Sequence, residues 1–487
     1  MNGSSANVLF LQDNGINESL ALTELSAVLR QEGHETHLLL HAEEGKNWWR
    51  RIEEVSPDLV ILPCNVFGHR FVLSQVQELV RRFPRVPVIL GGTHPTFAPS
   101  ILEQPGVSRI LVGEADVAIP QFVSRLVNGE SLLDIPGIWT QTEDGIVRTG
   151  PGTRLASLDE LPVPHRELYF DYPFMAQFPW KKFTTGRGCH NRCAFCYNSF
   201  VQDLYCDSGF VRRKAPARVV AEVQAVASQA RLDWVHFADD LFVTDLDWLA
   251  EFRSQWRHHE SLPFSCNSSA DRMNPDVART LAEAGCRSVA IGVETANEET
   301  RMKMLAKPTS NEVIKHAAAS IKGAGMKLVT FNMVGLPGES MEDAMETLRF
   351  SRRLGADATR VTMALPLPGT RMATDAARDG HLDGSLANSF TPDIDIRENP
   401  HGPYFSTGDD EAIEHILNIA PLLGRFGTAD KSLALLRRLP PAATRPLRLW
   451  MSLQEKHLFR FSLWDGFRFY LHTGDPHART TNYVALM

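Results

Sequence analysis

The chain has 487 residues, a formal net charge of −8, and 43% hydrophobic against 22% charged residues. That length calls for two or three hydrophobic cores, and the composition is that of a soluble globular protein. The acidic balance argues against a general nucleic-acid binder.

No apolar run reaches the ~18–20 residues of a membrane-spanning helix. "MNGSSANVLFLQDNG" lacks the basic-then-apolar order of a secretory signal, so a cytoplasmic protein is expected. Seven cysteines in so long a chain do not make a disulfide framework. In a reducing compartment grouped cysteines read as metal ligands and scattered ones as buried apolar residues. Cys189, Cys193 and Cys196 are grouped; Cys64, Cys206, Cys266 and Cys286 are scattered.

In chain order, "NVLFLQ" predicts a buried strand and "SLALTELSAVLRQEGH" a helix ended by Gly33. "ETHLLL", "PDLVILPC", "PVILGG" and "SRILVG" predict further strands, with a helix in "RFVLSQVQELVRRFP". Continuously apolar strands alternating with helices imply a parallel sheet covered on both faces. The expectation is an α/β, doubly wound, Rossmann- or flavodoxin-like domain over residues 1–140. Residues 141–181, rich in Pro and turn formers, read as a linker.

From Lys182 to residue 382 about six strand–helix repeats follow, from "KFTTGRG" to "RVTMALPLPG", which predicts a full or partial β/α barrel. Chemistry in such barrels sits at the C-terminal strand ends. Residues 383–487 read as a helical C-terminal region. There Arg445, Arg448, Arg460 and Arg468 among Trp450, Phe459, Phe461, Trp464, Phe467 and Tyr470 fit either a membrane surface or an amphipathic face on the protein's own core.

The loop "TTGRGCHNRCAFCYNSF" follows the first barrel strand. Two spaced pairs of thiolates would suit structural zinc. Three thiolates at Cys-x3-Cys-x2-Cys spacing suit a [4Fe–4S] cluster with one iron left open. Three unconnected buried cysteines would not be set among Gly186, Arg187, Gly188, His190, Asn191 and Arg192.

This motif, opening a β/α barrel, resembles the radical S-adenosylmethionine (SAM) superfamily. Phe195 matches its aromatic position before the last cysteine. The stretch from "GVETANEET" to "MVGLPGES" and the motif "ALPLPGT" are similar to its middle and late barrel. The resemblance implies that SAM binds the open iron and is cleaved to a 5′-deoxyadenosyl radical, with an external reductant such as flavodoxin or ferredoxin. Asp239 and Asp240 stand where the family offers acceptors to the SAM amino group. They also fit a helix N-cap and first-turn carboxylate. Glu294 resembles the family's acidic residue facing SAM, and a carboxylate ending an apolar strand is costly without a partner. Many relatives carry an arginine near Ser269, and its absence leaves the partner of the SAM carboxylate open.

The first domain resembles that of cobalamin-binding radical SAM enzymes through "PDLVILPCNVFGHRF", "VPVILGGTHPTFAPSIL" and "RILVGEAD". By that resemblance Gly91 and Gly92 let the corrin approach, Thr93, His94 and Thr96 offer polar contacts, and Asn65 faces the same crevice. His94 also fits a core or capping histidine, and the domain could have kept the fold without the cofactor. The Asp-x-His-x-x-Gly motif is absent, as is the Gly-x-Gly-x-x-Gly of a nicotinamide site.

The function implied is cobalamin-dependent methylation of an unactivated carbon in a small-molecule or lipid-like substrate. One SAM methylates cobalamin and a second supplies the radical. The alternative is radical rearrangement, cyclisation or dehydration, in which Tyr197 or Tyr205 could donate a proton or hydrogen atom, or simply pack. A non-catalytic iron–sulfur or corrin-binding protein conflicts with the SAM-site stations.

Overall fold

A computed structural model describes residues 5–14, 18–66, 68–206, 210–259, 262–382, 404–407 and 416. The expected helical region 383–487, with its arginine–aromatic stripe, lies almost wholly outside them.

The first sheet contains β1 (Asn7–Gln12), β2 (Glu35–Leu40), β3 (Leu59–Pro63), β4 (Val88–Gly91), β5 (Arg109–Leu111), β6 (Ile138–Thr142) and β7 (Gly145–Val147). Their order is β2-β1-β3-β4-β5-β6-β7. The first five strands run parallel in the flavodoxin-like order 2-1-3-4-5. One apolar layer, including Phe10, Leu25 and Phe122, covers one face, and another, including Leu9, Trp48 and Val76, covers the other. Two layers explain why the strands are apolar at almost every position. The sheet then runs on through an antiparallel hairpin, β6–β7, turned at Glu143-Asp144. Gly145, which opens β7 straight after the turn, takes φ +117°, a conformation glycine adopts without strain.

The connecting segment is a strap. The Tyr169 hydroxyl donates to Gln12 Oε1 at 2.6 Å and accepts from Ser19 N at 3.0 Å. The Tyr172 hydroxyl accepts from Leu40 N at 3.1 Å. The strap therefore covers the C-terminal ends of β1 and β2. It does not reach the ends of β3 and β4, where Asn65 and Gly92 are exposed.

The second sheet is parallel throughout and ordered β15-β14-β13-β12-β11-β8. Its strands are β8 (Trp180–Phe183), β11 (Trp234–Phe237), β12 (Phe264–Ser268), β13 (Cys286–Glu294), β14 (Lys327–Val334) and β15 (Ala358–Met363). Six strands curl into a half-barrel rather than a closed one. A two-stranded pair, β9 (Gly186–Arg187) with β10 (Arg212–Arg213), lies beside it. Side chains alternate along each strand. Phe183, Val235, Phe264 and Val289 pack outward on the helices, while Trp180, Trp234, Ala290 and Val329 fill the inner floor. Polar chemistry is thereby left to the C-terminal rim. No helix among the described residues is long and apolar enough to cross a membrane.

Candidate cofactor site

The cysteine loop leaves the rim of β8 and is held by its own backbone and by the helix after it. Ala194 N donates to Leu305 O at 2.8 Å, and Met372 N donates to Ala194 O at 3.0 Å. In the helix Tyr197–Tyr205, Gln202 Nε2 donates to Cys189 O at 2.7 Å and Asn191 O at 3.1 Å, and Ser199 Oγ to Cys193 O at 2.7 Å. Asn198 and Gln202, four residues apart, share the helix face toward the loop. That spacing was the available sequence signal for both. Gly188, at φ +92°, lies where a Cβ would meet Phe210 O at 2.7 Å, so only glycine fits.

The three thiols are free of disulfides and electrostatically coupled to one another. Burial pushes the Cys193 thiol up to about 12 and Cys196 up to about 11, and raises Cys189. Two N–H groups point at sulfur: Asn191 N to Cys189 Sγ at 3.5 Å and Asn198 Nδ2 to Cys196 Sγ at 3.8 Å. Such bonds help set the properties of an iron–sulfur cluster. Among the described residues no three His, Cys, Asp or Glu side chains close around a single ion. A three-thiol set with N–H···S donors fits a cluster that the loop gathers around itself.

The two aspartates after β11 separate. Asp239 is buried and spends its oxygens on Thr185, accepting from its N at 2.9 and 3.1 Å and its Oγ1 at 2.7 Å. Burial raises its carboxyl, with Arg213 opposing. It ties the rims of β8 and β11 together, which is neither the helix-cap role nor an open acceptor. Asp240 remains exposed and interacts electrostatically with Cys189 and Cys196. The protein packed around it raises its carboxyl although solvent still reaches the residue, and a bond from Asn198 lowers it. Of the pair, Asp240 alone faces the thiols with a carboxylate to offer.

Glu294 ends β13 in the left-handed region, φ +63°, where pairing with β14 shifts register. A non-glycine residue held there signals imposed strain of the kind found at functional sites. Its Oε1 accepts from Lys307 Nζ at 2.8 Å, and the same ammonium reaches Gly292 O at 2.7 Å. Lys307 acts electrostatically on Cys189 and Cys193, so the pair stands beside the loop. Sequence reasoning missed Lys307, which has no motif of its own. On the neighbouring β12 rim, Asn267 Oδ1 and Ser269 Oγ are buried without a hydrogen-bond partner. Buried polar atoms are rarely left so, and these fit a polar cosubstrate. Phe195 packs with Ala194, Leu305, Met333 and Leu336, making the apolar side of the site.

On the first domain, Asn65 and Gly92 are exposed at the ends of β3 and β4, and Thr93 is half-buried. This open, side-chain-poor rim fits a flat ligand. Three of the expected residues have a role in the fold itself. Gly92, at φ +106°, lies where a Cβ would meet Cys64 O at 2.9 Å, so the fold itself requires glycine there. A Cβ on Gly91 would meet only the Leu111 side chain, at 3.6 Å. Thr96 is buried, its hydroxyl donating to Gly92 O at 2.9 Å and accepting from Gly113 N at 3.1 Å. It braces two strand ends. His94 is also buried and stacks on His69, centroids 4.8 Å apart at 10°. Burial and then His69 lower it to about 3, so the ring is neutral, in the manner of a core histidine.

The rim of β3 and β4 faces the helix that follows the cysteine loop. Phe97 packs on Tyr197 and Phe200, with centroids 5.1 and 5.0 Å apart. Tyr205 bonds Glu114 N and Gly152 O at 2.8 and 2.9 Å. Both tyrosines are thus packing and bracing residues in this structure.

Residues 183–351 match the Radical SAM superfamily and residues 7–123 the B12 binding domain. An uncharacterized methyltransferase of Pyrococcus horikoshii is 24% identical over 366 residues, covering 72% of this chain and 77% of its own. The fold is similar to the radical SAM methyltransferase TsrM from Kitasatospora setae, solved with cobalamin and a [4Fe–4S] cluster (TM-score 0.63, 19% identity, 77% of this chain and 75% of that one). It is also similar to the cobalamin-dependent SAM radical enzyme OxsB with aqua-cobalamin bound (TM-score 0.68, 15% identity, 98% and 78%).

Proposed function

Because this chain is a radical SAM enzyme with a B12-binding domain, we propose that it methylates an unactivated carbon of a small-molecule or lipid-like substrate. The supporting observation is the facing of two rims. The strap leaves the ends of β3 and β4 open, and Phe97 beside that opening touches the helix that begins at the third cysteine.

When bound, the cluster supplies the electron that cleaves SAM, and the corrin carries the methyl group. Cys189, Cys193 and Cys196 would hold the cluster, and an external reductant such as flavodoxin or ferredoxin would feed it. Asp240 accepts from the SAM amino group, while Lys307, fixed by Glu294, offers the cation that the missing arginine near Ser269 left unassigned. Ser269 and Asn267 gain partners from the cosubstrate. Phe195 and its apolar neighbours exclude water, which a radical intermediate requires.

The test is anaerobic reconstitution with iron, sulfide and cobalamin, then reaction with SAM carrying a labelled methyl group and a strong reductant. Methyl transfer predicts label on the corrin together with S-adenosylhomocysteine, besides 5′-deoxyadenosine. Formation of 5′-deoxyadenosine with no S-adenosylhomocysteine and no labelled corrin sinks the methylation reading and leaves rearrangement, cyclisation or dehydration.

A further inference from the structure

The seam between the two sheets carries an ion network that the cofactor chemistry does not use. Arg187 of β9 sends Nη1 to Glu114 Oε2 at 2.9 Å and to Asp116 Oδ2 at 2.5 Å. Its Nη2 reaches Asp116 Oδ1 at 3.0 Å and Glu24 Oε2 at 2.7 Å. Arg212, paired with Arg187 across β9–β10, also binds Glu114, and Lys214 Nζ reaches Glu24 Oε1 at 3.1 Å. Three carboxylates of the first domain thus meet three cations of the half-barrel, largely out of solvent. Glu24, Asp116, Arg212 and Lys214 side chains are 3–8% exposed. The Glu24 carboxyl is lowered to about 2, burial being outweighed by Lys214 and Arg187.

Two features set this network apart from ordinary surface pairing. Desolvating this many charges costs more than apolar packing of the same volume, so a buried set is better suited to fixing register than to adding stability. The anchors also lie at the two cofactor rims. Arg187 is two residues before Cys189, and Glu114 and Asp116 follow β5 directly behind Gly113, where Thr96 braces the β4–β5 ends. A polar seam between domains otherwise leaves them free to shift.

We propose that Arg187 is a positioning residue: through Glu24, Glu114 and Asp116 it fixes the distance and orientation of the cluster loop relative to the corrin-binding rim. This rests on the methyl-transfer reading, which needs one substrate carbon in reach of both cofactors. Misplacement of ~1 Å can cost ~100-fold in such a geometry.

Stability does not test the idea, because replacing a buried ion set by apolar groups is often neutral or stabilising. Spin–spin coupling does. Wild type, Arg187→Lys, Asp116→Asn and the double variant Arg187→Met/Asp116→Leu are reconstituted with cluster and cobalamin, and iron and cobalt contents are matched. Both centres are then reduced to their one-unpaired-electron states. In wild type the reduced cluster should speed the spin relaxation of the cobalt centre to one uniform value. In Arg187→Lys, whose single ammonium cannot span Glu24, Glu114 and Asp116, and in Asp116→Asn and the double variant, that enhancement should spread and fall toward the value of a cluster-free sample. Unchanged relaxation in all three overturns the proposal. If wild type retains no corrinoid, the methyl-transfer reading fails by itself, and backbone hydrogen exchange then decides the network. Asp116→Asn should speed exchange across the seam at residues 185–189, and exchange raised only around residue 116 overturns it.

Discussion

Glu294 and Lys307 meet at 2.8 Å, thirteen residues apart, with both side chains about nine-tenths buried. The carboxylate at the end of the apolar strand thus has the partner that its desolvation requires. The pair lies beside the cysteines, so each member can be tested against SAM. Glu294→Ala should weaken SAM binding by about one to two orders of magnitude, the loss of a charge-assisted bond of ~1.5–3 kcal/mol. Lys307→Met should weaken it comparably. Equilibrium binding to the oxidised, cluster-loaded protein measures both, with iron content unchanged. Wild-type affinity in either folded variant removes that residue from the SAM site.

Cys193→Ala should abolish the cluster. Reconstituted wild type is expected to hold about four irons and to release 5′-deoxyadenosine from SAM. The variant should do neither, as read by iron analysis and chromatography. Full cleavage by the variant contradicts the ligand assignment.

Substitution at Gly92 should damage the fold whether or not a corrin binds. Gly92→Val places a side chain at φ +106° against Cys64 O, a conformation that costs ~1–3 kcal/mol for a non-glycine residue, before the clash is counted. The melting temperature of the cofactor-free protein should fall. A cleaner probe of the corrin is Thr93→Trp, at a half-buried rim position. It should leave that melting temperature near wild type and lower the cobalt retained after gel filtration. Equal cobalt retention places the corrin elsewhere.

Glu339 should make stability depend on pH. It is buried behind β14, with one oxygen accepting from Gly335 N at 2.6 Å and Leu336 N at 3.2 Å and the other without a partner. Burial raises its carboxyl from 4.5 to about 7. The folded state therefore holds this proton more tightly than the unfolded one. Stability falls as pH rises from about 4.5 to about 7 and then levels. At ~1.36 kcal/mol per unit the loss approaches ~3 kcal/mol. Glu339→Gln removes the titration, so denaturant unfolding at pH 5 and pH 8 should show a smaller drop than wild type. An identical drop refutes the assignment.

The sequence by itself determined the two sheets and the thiol loop, because both are local signals. Strands buried on two faces must be apolar at nearly every position, as in "NVLFLQ" and "LVILP", and cluster ligands on one loop declare themselves by spacing. Even the strap was legible as a Pro-rich break. The hairpin β6–β7 was missed because its strands are short and its side chains partly exposed.

What only the tertiary structure decided is which polar residue meets which. Asp239 and Asp240 are adjacent and chemically identical, yet strand geometry gives one to Thr185, 54 residues away, and turns the other to the thiols. Gly92 reads in sequence only as clearance for a ligand, and the structure adds that a Cβ there would meet Cys64 O at the end of the neighbouring strand. Arg187 read as loop polarity, while its carboxylate partner Glu24 lies 163 residues earlier. An ion pair or a close backbone approach is set by distance in space, and no periodicity along the chain encodes that distance.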